Sequence, residues 1–344
     1  MPKTSYRNPY VDSQTKLLLG KFEDLIAFKP KDRKAGRGRT EGWGPLAIKQ
    51  TCLLKATYPD TAPETERTYT TCRNQITRLK KALRAGAASS LKDPENKARV
   101  LTICAHFGEA LSDQFTQYGM KKAEAYRAKV ETRSMPENRI QLNLTQFIKR
   151  AHEVLSNPEN FTWIEVSCAI ALTAGRRMAE VHMSANFEPI EGESHLMLFT
   201  GQLKGKGRKM GDLPLHQHTF TIPTLVPASL VINGLQHLAD EGKRVDYNPK
   251  WSYDHITYVT PKVNGRYNKE LNLLTKKPQW AVLPDGAMTY HKFRGAYLRA
   301  CIVNSKVDPF DYIDYVASII GDRDESTIKS YQRFSLKEGS ITLI

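Results

Sequence analysis

The chain has 344 residues, 40% hydrophobic and 25% charged, and its 51 Lys and Arg against 36 Asp and Glu leave a formal charge of +15. That length buries a sizeable core and suggests two domains, while the cationic excess points to a polyanion, duplex DNA or RNA first, because released counterions drive such binding. The five cysteines are far apart and never form a C-x-x-C pair, the N-terminus has no apolar targeting segment, and no stretch approaches the roughly 18 uninterrupted apolar residues of a membrane span, so a disulfide framework, a zinc site and an embedded chain are excluded and a reduced cytoplasmic setting is expected.

An apolar patch at 17–28 precedes Lys29-Pro30-Lys31-Asp32-Arg33-Lys34-Ala35-Gly36-Arg37-Gly38-Arg39, with six positive charges, one negative, and helix-breaking Pro and Gly. Residues 1–40 therefore read as an N-terminal segment with a basic arm. Arg33, Lys34, Arg37 and Arg39 are its candidate phosphate contacts, and a solvated loop is the alternative. Over 66–84, Tyr69, Cys72, Ile76, Leu79 and Leu83 alternate at steps of three and four, the stripe of an amphipathic helix with Gly86 as its C-cap. Arg73, Lys80, Lys81 and Arg84 fall off that stripe, so they can lie along a phosphate backbone. Further helices are predicted at 98–118 and 121–132. Residues 41–135 thus form a helical DNA-binding domain, and Ser134 to Asn138 reads as the linker to a second domain at 136–344.

The second domain opens with helices at 144–155 and 161–172, the latter closed by Gly175. Strands follow at 195–200 and 219–222, flanking the basic turn Lys204-Gly205-Lys206-Gly207-Arg208. Helices resume at 227–241 and from 289 onward, and Asp308-Pro309 starts a helix over 310–320. The fold class is mainly α with a small antiparallel β-sheet.

Three blocks carry chemistry. Arg177 and Glu180 stand in Gly175-Arg176-Arg177-Met178-Ala179-Glu180-Val181, with Glu180 spaced to orient the Arg177 guanidinium. His291 and Arg294 share a helical face in His291-Lys292-Phe293-Arg294. Tyr331 follows Gly321 by ten residues. Breaking a phosphodiester without losing its energy needs a nucleophile that forms a covalent ester, donors for the phosphorane, and an acid for the leaving oxygen. Two guanidinium forks grip phosphate oxygens bidentately, which lysine does poorly. The histidines show no metal-like pairing beyond His216-x-His218, and no phosphate loop for a nucleotide is present, so neither a metal nor another cofactor is expected.

The order Arg-x-x-Glu, hairpin lysine, His-x-x-Arg, then a glycine block and tyrosine resembles the tyrosine recombinases, and within them the telomere resolvases. Phe199-Thr200-Gly201-Gln202-Leu203-Lys204, Phe220-Thr221-Ile222-Pro223-Thr224-Leu225 and Ile319-Ile320-Gly321-Asp322 through Tyr331 and Phe334 match further family blocks. The likeness covers roughly residues 65 to 336. It implies a helical core-binding domain plus a tyrosine-recombinase-like catalytic domain, Tyr331 as nucleophile, and Arg177 and Arg294 as phosphate-binding arginines. It further implies Lys204 as general acid for the 5′-oxygen, with Lys206 as a rival in that role. Lys206 and Arg208 are otherwise candidate DNA contacts. At Asp322 most relatives carry a histidine donor, and a carboxylate only accepts hydrogen bonds at neutral pH. Activity is then reduced, or His291 supplies the donor. The implied reaction is cleavage of an inverted-repeat duplex by a homodimer through a 3′-phosphotyrosyl link, with ends resealed as hairpin telomeres. A conventional integrase exchanging strands between duplexes, or a DNA-binding homologue with weakened catalysis, uses the same residues. The setting is the cytoplasm of a bacterial or phage-infected cell, with no membrane and no nucleotide cofactor.

Overall fold

The computed structural model describes residues 9–27, 43–57, 66–113, 116–203, 209–210, 213–283, 288–308, 311–321 and 325–336. The chain divides into two compact units, Met1–Tyr126 and Arg127–Ile344. Among the described residues no helix is long and apolar enough to cross a membrane.

The first unit is helical: α1 (Pro9–Ala27), α2 (Trp43–Thr57), α3 (Glu66–Ser90) and α4 (Pro94–Asp113), followed by α5 (Thr116–Ser134), which starts in this unit. Its core gathers Leu18 and Phe22 of α1, Leu54 of α2, Ile76, Leu79 and Leu83 of α3, and Phe107 and Leu111 of α4. Phe22 meets Phe107 edge to face. Of the α3 stripe expected from sequence, Cys72, Ile76, Leu79 and Leu83 are buried, the side chain of Tyr69 lies outside the described residues, and Gly86 does not cap the helix. The helix runs on to Ser90 because Ala87 continues the buried stripe. Gly86 instead admits α1, since a Cβ there would stand 2.5 Å from Leu19 Cδ1. A mid-helix glycine costs about 1 kcal/mol against alanine, a loss that close packing offsets. The helix expected to reach Tyr118 is described as far as Asp113, and Tyr118 stands in α5, with residues 114 and 115 outside the described residues.

The second unit is built on α7 (Trp163–Ala174), in which every residue from Val166 to Ala174 is buried. Thr162 and Glu165 form a reciprocal capping box at its start, and Gly175 in the left-handed region (φ 65°) ends it. A side chain at Gly175 would collide with the Tyr297 ring. Around α7 stand α6 (Thr145–Ser156), α8 (Ala228–Asp240), α9 (Tyr253–Leu274) and α10 (Lys292–Asn304), and α11 (Tyr312–Ile320) and α12 (Glu325–Tyr331) pack on α10. Chain order also gives β1 (Ile140–Leu142), β2 (Asn186–Ile190), β3 (Glu193–Thr200), β4 (Lys209–Met210), β5 (Leu213–Pro214), β6 (Phe220–Pro223) and β7 (Phe334–Leu336). β2, β3 and β6 make an antiparallel sheet, β4 and β5 a short antiparallel pair, and β1 lies parallel to β7 with Ile140 opposite Phe334. The fold is mainly α with a small antiparallel sheet.

Some boundaries differ from the sequence reading. Helix α11 begins at Tyr312 after Asp311, whose side chain makes no cap bond; Pro309 and Phe310 lie outside the described residues. Ser134 to Asn138, read as a linker, ends α5 and forms a 3-10 turn held by Asn138 Nδ2 donating to the Thr132 carbonyl and Arg139 Nε to that of Ser134.

Candidate active site

Gly175 turns the chain out of α7 and delivers Arg176 and Arg177, after which Glu180–Ser184 forms a π-helical turn. Such turns are rare and concentrate at functional sites. Glu180 is fully buried and is the hub: Arg177 donates to it from its backbone N–H (2.9 Å) and from Nη1 (3.0 Å), and the Leu203 N–H donates from the end of the sheet (3.4 Å). Arg294 Nη1, from α10, stands 3.8 Å from the other carboxylate oxygen. One carboxylate therefore orients both arginines expected to hold phosphate.

Arg294 is 1% exposed, and it donates to the carbonyls of Gly175 (2.6 Å) and Ile320 (3.2 Å). Gly295 beside it has no room for a side chain: a Cβ would meet Phe334 at 2.5 Å and Tyr331 Cδ1 at 3.5 Å. Tyr331, 8% exposed at the end of α12, thus packs against the turn of α10 that carries Arg294, and its hydroxyl lies within electrostatic reach of that guanidinium. Arg177, Arg294 and Tyr331 come together.

Two further residues belong here that sequence reasoning left out of the site. Arg176 is buried, lies 4.3 Å over the Phe199 ring, and donates to the carbonyls of Ala174 and Ile319. Gln202 donates to the Ile320 carbonyl (2.6 Å). With Arg294, they anchor the C-terminal end of α11, where Gly321 adopts φ 63° and begins the nucleophile block. The doubled arginine after Gly175 and the Gly-Gln pair were the available signals.

The electrostatics are lopsided. Burial alone would raise the Glu180 pKa, but Arg177, Arg294 and Arg176 outweigh it and hold the carboxyl at about 2. Burial, with the like charges of Arg177 and Arg176, lowers Arg294 to about 9, leaving it protonated at neutral pH. Burial lowers Arg176 as well. Three guanidiniums face one carboxylate, and Arg176 Nη1, Arg177 Nη2 and Arg294 Nε are buried without a hydrogen-bond partner among the described residues. Buried donors normally find acceptors, so this cationic surplus suits an anion with several acceptor oxygens.

His291 and Arg177 line one cleft of about 520 Å³ with Met178, Thr289, Tyr290 and residues of α9. Tyr290 is held beneath by a buried network in which Ser167 Oγ lies 2.8 Å from His182 Nε2 and 2.9 Å from the Tyr290 hydroxyl. Burial lowers the His182 pKa to about 4. Of the other candidates, Lys204, Lys206, Arg208, Asp322, Arg33, Lys34, Arg37 and Arg39 lie outside the described residues. Arg73, Lys81 and Arg84 are exposed on α3, whereas Lys80 lies across Gly108 with Nζ 3.2 Å from Ser112 Oγ.

The family model for the telomere resolvase ResT/TelK catalytic domain matches residues 138–334, more than half of the chain. The chain belongs to the telomere resolvases. Like its family, this resolvase is a DNA breaking-rejoining enzyme that reseals ends as hairpin telomeres. Its fold is shared with solved protelomerases. One is protelomerase TelA covalently complexed with substrate DNA, at TM-score 0.57 and 20% identity, covering 98% of this chain and 92% of that one. A TelA mutant complexed with a DNA hairpin product gives 0.58 and 21% over the same shares. Protelomerase TelK complexed with substrate DNA gives 0.51 and 16%, covering 94% of this chain and 59% of that one. No curated protein matches the resolvase.

Proposed function

We propose that Tyr331 is the nucleophile, Arg177 and Arg294 the phosphate grip, and Lys204 the general acid, acting on an inverted-repeat duplex bound by two copies of the chain in the cytoplasm. The Tyr331 oxygen attacks the scissile phosphorus, the bond from phosphorus to the 5′-oxygen breaks, and Lys204 gives that oxygen a proton. In the second step a 5′-hydroxyl attacks the phosphotyrosine across the duplex, the bond to Tyr331 breaks, and a hairpin closes. One ester replaces another, so no nucleotide is consumed. Lys206 and Arg208, the arm residues Arg33, Lys34, Arg37 and Arg39, and the α3 residues Arg73, Lys80, Lys81 and Arg84 take phosphates and set register.

The observation that carries this reading is the buried Glu180 carboxylate shared by Arg177 and Arg294, with Tyr331 packed on the same turn of α10. A duplex nicked near the cut site traps the covalent adduct, and a palindromic duplex yields strands that snap back after denaturation. Joined duplexes without hairpins would indicate strand exchange instead, and absence of adduct a binding protein.

Asp322 replaces the usual histidine donor, and His291, beside Arg177 in the cleft, supplies a donor in its stead. Losing one donor to a developing oxyanion costs on the order of 10²- to 10³-fold in rate. Asp322→His is therefore expected to speed adduct formation and His291→Ala to slow it. An unchanged rate in both variants would remove this assignment.

A further inference from the structure

Helix α9 buries Ile256, Val263, Tyr267 and Leu271 and turns its other faces outward. From Tyr258 to Lys269 it carries Lys262, Arg266 and Lys269 and no carboxylate, and Tyr258 is 64% exposed with Lys262 Nζ 3.6 Å from its ring centroid. Over these turns the positive charges outnumber the acidic neighbours, with Glu270 following Lys269, and such an excess fits the flank of a polyanion.

One edge of this surface enters the site. Asn264, Gly265, Asn268 and Asn272 line the cleft that also holds Arg177, Thr289 and His291. Asn272 is committed to the fold: its Oδ1 accepts from the Tyr290 N–H (2.9 Å) and its Nδ2 donates to Asn268. Among the described residues no group bonds the Asn264 amide or Asn268 Nδ2. Gly265 sits on the same exposed helix face, and among the described residues a Cβ there would meet nothing within 4 Å. A bare backbone facing an open cleft suits close approach by a bound molecule.

We infer that these turns of α9 read a base edge beside the scissile phosphate, with Asn264 and Asn268 as specificity-determining residues and Gly265 as the point of close approach. The base class is adenine: the Asn264 amide pairs with it bidentately, Oδ1 accepting from the N6 amino group and Nδ2 donating to N7, while Asn268, whose Oδ1 accepts from Asn272, adds its Nδ2 donor. Because Arg177 shares the cleft, the base read lies next to the cut. The inference rests on the reading of Arg177 as a phosphate grip.

The test measures single-turnover adduct formation by the full chain on nicked duplexes that differ only in the base pairs flanking the cut. The unaltered protein prefers adenine at one flanking position by about 5- to 150-fold. In Asn264→Ala or Asn268→Ala that preference falls to within about twofold while preferences elsewhere persist. Preferences retained at every position in both variants overturn the inference. Gly265→Leu fills empty space and favours the helix, so it folds, and it slows adduct formation at least about tenfold; an unchanged rate overturns the close approach. If the unaltered protein forms no adduct on any duplex, the reading of Tyr331 fails and this inference with it. If it forms adduct but is indifferent to all three substitutions, only the role of α9 fails.

Discussion

The core of the first unit is apolar, with Phe22, Leu79, Leu83 and Phe107 inside and the charges of Arg73, Lys81 and Arg84 outside. In the second unit Arg176, Glu180 and Arg294 are buried among Phe199, Phe293 and Tyr297. Hydrophobic burial explains the first arrangement, at about 25 cal/mol per Å² of apolar surface removed from water. It cannot explain the second, because desolvating ions costs several kcal/mol each and well-packed apolar residues usually do as well. Buried charges kept at that cost mark the second unit's cluster as a candidate site for chemistry.

Experiments that separate folding from chemistry sharpen this contrast. Tyr331→Phe removes one oxygen and leaves the ring on Gly295, so adduct formation on a nicked duplex should fall by on the order of 10⁴-fold or more with the melting temperature unchanged. Glu180→Ala should cost about 3–5 kcal/mol of stability in denaturant melts, because three guanidiniums lose their shared carboxylate. An equal loss at any first-unit surface residue would break the contrast. Gly175→Ala, at positive φ and against the Tyr297 ring, should destabilise by about 2 kcal/mol or more. Gly86→Ala should cost far less, because the Leu19 side-chain tip can yield and alanine favours the helix.

Acid should act on the second unit in two stages. His182 has its folded pKa lowered to about 4, so the unfolded chain binds the proton first and stability declines as pH falls from about 6.5 towards 4. Glu180, held at about 2, contributes stability that is present above its ordinary value near 4.5 and lost as pH falls towards 2. His182→Gln should flatten the first stage and Glu180→Gln the second, read from melting temperatures across pH. The smallest effect belongs to the first unit. Replacing Lys81 and Arg84 together should lower the salt slope of DNA affinity by about one for each phosphate no longer neutralised, with no change in melting temperature.

Periodicity revealed α3, α6 and α7, because each buries one clear stripe or a continuous apolar run, and α7 also has a recognisable cap at each end. It did not reveal α9, whose interior holds Pro261 and Gly265, both ordinarily breakers, and whose hold on the core rests on four residues among many polar ones. Nor did it reveal β1 and β7, which are three residues each and pair across nearly the whole unit. Within the candidate site, family spacing singled out Arg177, Arg294 and Tyr331, whose roles are proposals, and the structure gathers them around α10. Arg176 and Gln202 were marked only by the doubled arginine and the Gly-Gln pair, and neither pattern announces a long-range bond to the carbonyls of Ile319 and Ile320.

The pairing of β1 with β7 bears on whose tyrosine cuts whose strand. Ile140 lies opposite Phe334, and the Ile140 N–H donates to the Arg333 carbonyl (2.8 Å), so the segment just past Tyr331 is stitched into the polypeptide that also owns Glu180. On the proposal that Tyr331 is the nucleophile, this pairing keeps the phenol beside the Arg294 of its own chain, and a mixture of copies lacking Tyr331 with copies lacking Arg177 is expected to form no adduct on a nicked duplex.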